Sequence, residues 1–330
     1  MLRFGILGAA RIAPAAIIKP AKIHPDAEVV AVAARDRAKA QTFATKHGIG
    51  TVHESYDALL ADPNIDAIYN PLPNGLHGHW TMKALQAGKH VLCEKPLTAN
   101  AEEAELVAGI ARQFPELVVM EAFHWRYHPL ANSMKTIVES GELGTIRRIE
   151  TSMCIPLPMF KDIRYQIDLA GGSLMDVGCY AIHKNRTLAG GEPAVVSARA
   201  KTLKRAPQID RWITADLKYP TGVEGTITAA MWSSQLLRIG IRVTGTDGEL
   251  RVFNATQPAL YHRAIVTANG KKRNVRNPDK RHTYWHQLDA FIAAVGGDAT
   301  RNITNLDDAV ANMRVIDAVY DAAGLHRRHP

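Results

Sequence analysis

The chain opens with an apolar hexapeptide, Leu2 to Leu7, that runs into Gly8 and then into Ala10, Arg11, Ile12 and Ala13. A strand that turns on a glycine into a helix start is the first half of a βαβ unit, and it commits the next hundred or so residues to a parallel sheet flanked by helices. A dinucleotide-binding turn needs small residues at three places: one for the tight turn, one for backbone approach to the pyrophosphate, and one for packing helix on strand. Gly8, Ala10 and Ala13 occupy these places, with Arg11 and Ile12 at a helix start whose N–H groups attract phosphate. Alanine at the second place makes the pattern degenerate, so its weight comes from its position directly behind the first strand.

The next strand, Glu28 to Ala34, leads into Arg35-Asp36-Arg37. In NAD-binding folds an acid at the end of this strand holds the ribose 2′-hydroxyl, whereas a nearby arginine accommodates the 2′-phosphate of NADP. Ala34 stands at the acidic position and Arg35 and Arg37 follow it, which favours NADP over NAD. Asp36 opposes that preference, and the start of a solvated helix is the second reading of both arginines.

Strand and helix keep alternating through a helix over 37–47, a short strand near Thr51, a helix from Ser55 to Ala61 and a strand from Ile65 to Asn70. The last of these stops at Pro71-Leu72-Pro73-Asn74, where Asn74 can cap a helix over His77 to Ala87, and the loop is expected beside the nicotinamide. His77 and His79 stand two apart and share no helix face, so no metal site is expected. The stretch Gly88 to Thr98, GKHVLCEKPLT, then delivers Glu94, Lys95 and Pro96 to the end of a further short strand. Ligands of doubly wound folds bind at such strand ends, although an isolated Lys-Pro reads equally well as a solvated turn. A helix near Ala99 to Phe114 and a strand Leu117 to Glu121 come next. The Glu121 carboxylate has the cofactor cleft or a neighbouring lysine as alternative partners.

A length of 330 residues and 46% hydrophobic content allow two domains with cores of their own. No stretch approaches the roughly 18 apolar residues of a membrane span, and the N-terminus lacks the regions of a signal peptide, so a cytoplasmic protein is expected. Cys93, Cys154 and Cys179 form no CxxC spacing and read as reduced, buried thiols. A net charge of +8 suits a polyanionic cofactor as well as nucleic acid or a membrane. The densest basic run, Lys271 to Arg281, is broken by Asn and Pro without aromatics and reads as a solvated loop. No nucleic-acid-binding motif accompanies it.

Residues 71–98, PLPNGLHGHWTMKALQAGKHVLCEKPLT, resemble the signature of the glucose-fructose oxidoreductase, inositol dehydrogenase and MocA-like (Gfo/Idh/MocA) family of pyridine-nucleotide oxidoreductases. The proline-bounded loop, Asn74, His77, the Ala-Leu-x-Ala-Gly-Lys-His turn and Glu94-Lys95-Pro96 come in the family's order and spacing. The resemblance implies that Lys95 is catalytic, that the peptide before Pro96 is cis, and that Pro71, Asn74, His77 and Glu94 line the cofactor. The string EAFHWRYHP, residues 121–129, is similar to the dihydrodiol dehydrogenase and NADP-dependent D-xylose dehydrogenase branch. That likeness sets Arg126 at the substrate, while Trp125, Tyr127 and His128 read equally as packing residues.

From Pro129 the pattern changes to a helix and then a run of strands: Ile146 to Pro156, Ala194 to Leu203, Trp212 to Tyr219, Gly225 to Ser233 and Leu237 to Gly245, with a hairpin turn at Thr246-Asp247-Gly248. Together with the first half this predicts α/β plus α+β. The N-terminal Rossmann dinucleotide-binding domain would span 1–125, and a substrate-binding and oligomerisation domain with a large open, mostly antiparallel sheet would span 126–330. Helices at about 282–325 are expected to pack back on the first domain, with residues 326–330 frayed. The family's use of the open face implies a homodimer or homotetramer.

One helix of the second half stands apart. Behind Gly171-Gly172, residues Asp176, Tyr180 and His183 are spaced i, i+4 and i+7 and share a face, either as a solvated stripe or as a site. The resemblance places the substrate helix here, with Asp176, Tyr180 and His183 at the substrate. Many members carry a histidine where Tyr180 stands, so a tyrosine must here serve as acid/base, and an adjacent Lys95 cation would favour its phenolate. The implied reaction moves a hydride between a substrate C–H and the nicotinamide, with Tyr180 taking the hydroxyl proton and Asp176 orienting a sugar, cyclic polyol or diol. Two alternatives stay open: a cofactor-retaining enzyme of this architecture, such as a sugar-sugar oxidoreductase or NAD-dependent glycosidase, and a non-catalytic nucleotide-binding regulator.

Overall fold

The computed structural model of the chain describes residues 1–277 and 279–330. It divides into two compact units, one of Met1–His124, Tyr284–Val310 and Pro330, the other of Trp125–Thr283 and Ala311–His329.

The first unit is built on six parallel strands: β1 (Leu2–Leu7), β2 (Ala27–Ala33), β3 (Thr51–His53), β4 (Ala67–Asn70), β5 (His90–Cys93) and β6 (Val119–Glu121). Their order is β3-β2-β1-β4-β5-β6, so the winding reverses between β1 and β4, where ligands of doubly wound sheets bind. Phe4, Ile6 and Leu7 of β1, Ile68 of β4 and Val91 of β5 are inaccessible to solvent, as strands covered on both faces require. Leu7, Leu59, Leu85, Val107 and Ala309 belong to one core cluster, so the section near residue 309 is part of this unit's interior.

Helix ends obey local chemistry. Asp36 caps the helix Arg37–His47, Ser55 caps Tyr56–Leu60, and Asn100 caps Ala101–Ala111. Asn74, expected as a cap, instead begins a short 3₁₀ turn (Asn74–Leu76), and the helix His77–Gln86 starts from Leu76 without a side-chain cap. The first helix begins at Pro14 as a π turn (Pro14–Ile18) and continues as an α-helix to Ile23, leaving residues 9–13 as an open turn.

The described residues of the second unit form an eight-stranded sheet of order β14-β13-β12-β11-β7-β10-β9-β8. Its strands are β7 (Ile146–Cys154), β8 (Ala194–Leu203), β9 (Ala206–Lys218), β10 (Glu224–Ala230), β11 (Arg238–Gly245), β12 (Gly248–Phe253), β13 (Arg263–Ala268) and β14 (Lys271–Asn274). All neighbours are antiparallel except β7 and β10. The helix Cys179–Ala189 lies against β7, bound by Thr151 Oγ1 to the Ala181 carbonyl and by Asn185 Nδ2 to the Ile149 carbonyl.

Two expectations are corrected by the second unit. Lys271–Asn274, taken as a solvated loop, is the exposed edge strand β14, a place where lysines discourage further strand pairing. The tail is not frayed at Arg328, which is fully buried: its guanidinium donates to the Gly171 carbonyl and pairs with the buried Asp210 at 2.9 Å.

Candidate functional site

In the first unit, Gly8 ends β1 with φ +93°, donating its N–H to the Ala33 carbonyl at 2.6 Å. A side chain here would be strained by the left-handed backbone and would press on Leu72, so the turn between β1 and the first helix keeps its backbone bare. Ala10 and Ile12 are half-buried and Arg11 is exposed. Behind β2, Arg35 and Arg37 are both exposed, whereas the Asp36 carboxylate accepts from the N–H groups of Ala38 and Lys39 at 3.0 and 3.2 Å. The acid that opposed NADP is thus committed to a helix cap, and two cations stand free of that duty beside the turn.

The loop after β4 and the loop after β5 are joined through a buried imidazole. His77 lies with Nε2 2.6 Å from the Leu72 carbonyl and Nδ1 2.7 Å from the Pro96 carbonyl. Burial pulls its pKa down to about 4, against the two carbonyls, which favour the protonated ring. Both ring nitrogens thus lie against backbone carbonyls, and the neutral ring donates to one of them. Pro71, Pro73 and Asn74, on the same loop, are half-buried.

Lys95 sits on a segment fixed on all sides. The Glu94 N–H donates to the Asn70 carbonyl, and the Glu94 carboxylate accepts from the Tyr69 hydroxyl at 2.8 Å. Ala122 N–H donates to the Cys93 carbonyl, and Leu97 N–H to the Glu121 carboxylate at 2.8 Å. The Lys95–Pro96 peptide is cis. Glu121 therefore steadies the backbone behind Lys95. Lys89 of the same signature is structural, capping the carbonyls of Asp62 and Ile65.

In the second unit, Gly171 and Gly172 lead into a π turn (Leu174–Gly178) that continues as the helix Cys179–Ala189. Gly172 has φ +137°, and a side chain there would collide with Asp210, Tyr320 and Arg328. Asp210 accepts from the Ser173 hydroxyl and from the Leu174 N–H, each at 2.7 Å, so a buried carboxylate holds the start of the turn. The three residues that share a face by spacing fare differently. Asp176 is half-buried and accepts from Arg164 Nε at 3.0 Å. Tyr180 is 5% exposed, and His183 is 1% exposed with Nδ1 accepting from the Trp125 indole at 3.0 Å. The His183 ring packs edge-on to Trp125 in the interior. Arg126 is half-buried and donates to Asn132.

Two groups escaped the sequence. Arg164 lies in an irregular segment where no periodicity marks it, yet it holds Asp176 and Asp162 together. Lys184, four residues after Tyr180, is buried beside its ring, and the helical spacing could have found it. Among the described residues no group of three or more His, Cys, Asp and Glu side chains could hold a metal ion.

Residues 2–122 match an oxidoreductase family with an NAD-binding Rossmann fold, and residues 132–251 match the GFO/IDH/MocA C-terminal domain. The chain belongs to the Gfo/Idh/MocA oxidoreductase family. Its Gfo/Idh/MocA relatives include D-xylose 1-dehydrogenase (NADP(+)) 2 of Haloferax volcanii, 36% identical over 98% of this chain and 97% of that protein. A trans-1,2-dihydrobenzene-1,2-diol dehydrogenase of Sus scrofa is 32% identical over 77% of this chain and 74% of its own. Among solved structures of the family, a 3-ketoreductase from Actinomadura kijaniata in complex with NADP and TDP-benzene superposes with a TM-score of 0.87, at 29% identity and 97% coverage of both chains.

Proposed function

We propose that this protein is an NADP-dependent oxidoreductase that moves a hydride between the cofactor and a hydroxyl or carbonyl carbon of a sugar, cyclic polyol or diol, the first unit binding cofactor and the second substrate. The observation that carries this reading is Lys95, set on a pinned segment at the carboxyl end of β5, in a sheet whose order reverses at β1 and β4. The relatives add the cofactor and the substrate class: a sugar dehydrogenase named for NADP(+), a diol dehydrogenase and a ketoreductase crystallised with NADP.

The residues present fit the cofactor. The turn at Gly8, with Ala10, Arg11 and Ile12, lets a pyrophosphate approach bare backbone at the start of the first helix, and the exposed Arg35 and Arg37 suit a 2′-phosphate while Asp36 is committed elsewhere. Pro71, Asn74 and Glu94 complete the lining. Bound NADP supplies or accepts the hydride. Lys95 donates to the reacting oxygen and stabilises its developing negative charge. Tyr180 takes the hydroxyl proton in oxidation and returns it in reduction. Asp176, aimed by Arg164, accepts from a neighbouring substrate hydroxyl and so selects one orientation, with Arg126 at the substrate's far end.

The reading extends to assembly and place. The open face of the second unit's sheet carries Glu150, Ser152, Thr228, Arg242 and Glu249 around a broad concavity of about 1060 Å³, which supports a homodimer or homotetramer paired through that face. All three cysteines are buried thiols outside any disulfide, and no helix of the described residues is long and apolar enough to cross a membrane, which supports a cytoplasmic protein. Following cofactor reduction across aldoses, inositols and diols with NADP and NAD tests the assignment. Turnover with NADP by the wild type and its loss in Lys95→Ala is the expected result. Tighter binding of NAD than NADP, unchanged in Arg35→Ala, contradicts the cofactor assignment.

A further inference from the structure

Lys184 is a lysine where helix surfaces normally let the ammonium reach water. It is instead 2% exposed, on the helix Cys179–Ala189 one turn after Tyr180. Its Nζ donates to the Thr256 hydroxyl and lies over two aromatic rings, 5.5 Å from the centroid of Tyr180 and 5.6 Å from that of Trp125. The Thr256 hydroxyl passes its own proton toward the Met153 sulfur at 3.7 Å, which leaves its lone pair facing the ammonium. No carboxylate among the described residues pairs with Lys184. A buried cation without a carboxylate is costly, and the rings it faces are the groups that offset this cost.

We propose that Lys184 is a positioning residue for the proton chemistry of Tyr180, a cation held over the phenol ring that stabilises the negative charge appearing there when the proton leaves. The proposal rests on the reading of Tyr180 as the acid/base group. A unit charge over the ring face acts on a phenolate far more strongly than on the neutral phenol, because a phenolate shares its charge with the ring. Burial pulls the ammonium's own pKa down to about 7, whereas a phenolate formed beside it holds the proton on the amine, so Lys184 and Tyr180 titrate as a coupled pair.

The surroundings leave this charge little competition. On the same helix, the Cys179 thiol has a small charge effect on Lys184, and His183 is turned to Trp125. The preceding π turn carries Asp176, which is occupied by Arg164. On β7, Arg148 pairs with Glu224 of β10, and Glu150 faces Arg242. On the helix Pro129–Glu139, Lys135 pairs with Glu139 at the surface. Lys95, assigned to the same reacting hydroxyl, is the other cation expected to act on the phenol.

The test titrates Tyr180 directly, from tyrosinate absorbance of wild type minus Tyr180→Phe, and follows the pH profile of kcat/KM for the fastest substrate of the aldose, inositol and diol panel. Lys184→Met is expected to move the Tyr180 titration and the catalytic limb upward together by about one pH unit, with NADP affinity unchanged. Thr256→Val, which only loosens the ammonium, moves both in the same direction by less. An unmoved titration and limb in Lys184→Met, with the limb lost in Tyr180→Phe, overturns the proposal. Should Lys184→Met fail to fold, the absence of any movement in Thr256→Val overturns it instead. If Tyr180→Phe keeps full turnover, the acid/base reading of Tyr180 fails, and the tyrosinate titration still decides whether Lys184 acts on that ring.

Discussion

The segment around Lys95 and the helix around Tyr180 are built in opposite ways. Near Lys95 the protein grips the backbone: His77 holds the Pro96 carbonyl, Glu121 the Leu97 N–H, and Asn70 the Glu94 N–H. In the second unit side chains grip side chains, Arg164 on Asp176 and Lys184 over Tyr180. A gripped backbone places whatever side chain it carries, whereas gripped side chains depend on the identity of each partner. The first arrangement suits a reaction step common to a family, and the second suits residues that differ with substrate.

The contrast predicts unequal responses to mutation. Lys95→Ala leaves its pinned backbone intact and removes the ammonium, so kcat should fall by about 10³-fold or more with the melting temperature little changed. A fall in stability equal to that of a core mutation would show that Lys95 is structural.

Replacing His77 strikes the grip itself. The folded pKa of about 4 lies below the ordinary 6.5, so the unfolded chain binds the proton first. The stability due to neutral His77 is therefore complete above about pH 6.5 and is lost as pH falls toward 4, a change of about 3 kcal/mol at 1.36 kcal/mol per unit. Denaturant unfolding at pH 7 and pH 4.5 should show that part of the loss in the wild type and not in His77→Gln. An identical pH dependence in both would mean that His77 is charged in the folded protein.

Arg164→Ala should lower kcat/KM by about 10- to 100-fold while leaving NADP affinity untouched, because only the aim of Asp176 is lost. Arg164→Lys, which keeps the charge but not the fork that reaches both Asp162 and Asp176, should recover part of it. Arg35→Ala is the mildest change. With Arg37 beside it, the loss of NADP affinity should be about 10-fold, with NAD binding unchanged in a direct titration.

The two regions also differed in how much could be read before the fold was known. The βα alternation, the Gly8 turn and the Glu94-Lys95-Pro96 motif are local patterns, and each emerged as a strand end or turn at the expected residues. The contacts that no local pattern reveals are long-range. His77 meets Pro96 nineteen residues away, and Glu121 meets Leu97 across neighbouring strands. Arg328 reaches Gly171 across most of the second unit's sequence, so nothing local to 326–330 revealed an ordered tail. Strand β14 was missed because a short, charged edge strand lacks the apolar alternation that marks buried ones. The inward turn of His183 against Trp125 is likewise a contact that helical spacing does not show.

The central claim is that hydride passes between a sugar-like C–H and the nicotinamide at Lys95 and Tyr180. The most direct measurement incubates the enzyme with NADP and the substrate that best reduces it, deuterated at the reacting carbon, and locates the label by NMR of the recovered cofactor. Deuterium at C4 of NADPH, formed at least about 10³-fold more slowly by Lys95→Ala, is the predicted result. Deuterium released to water with no label in the cofactor, or equal labelling rates in the wild type and Lys95→Ala, would contradict it.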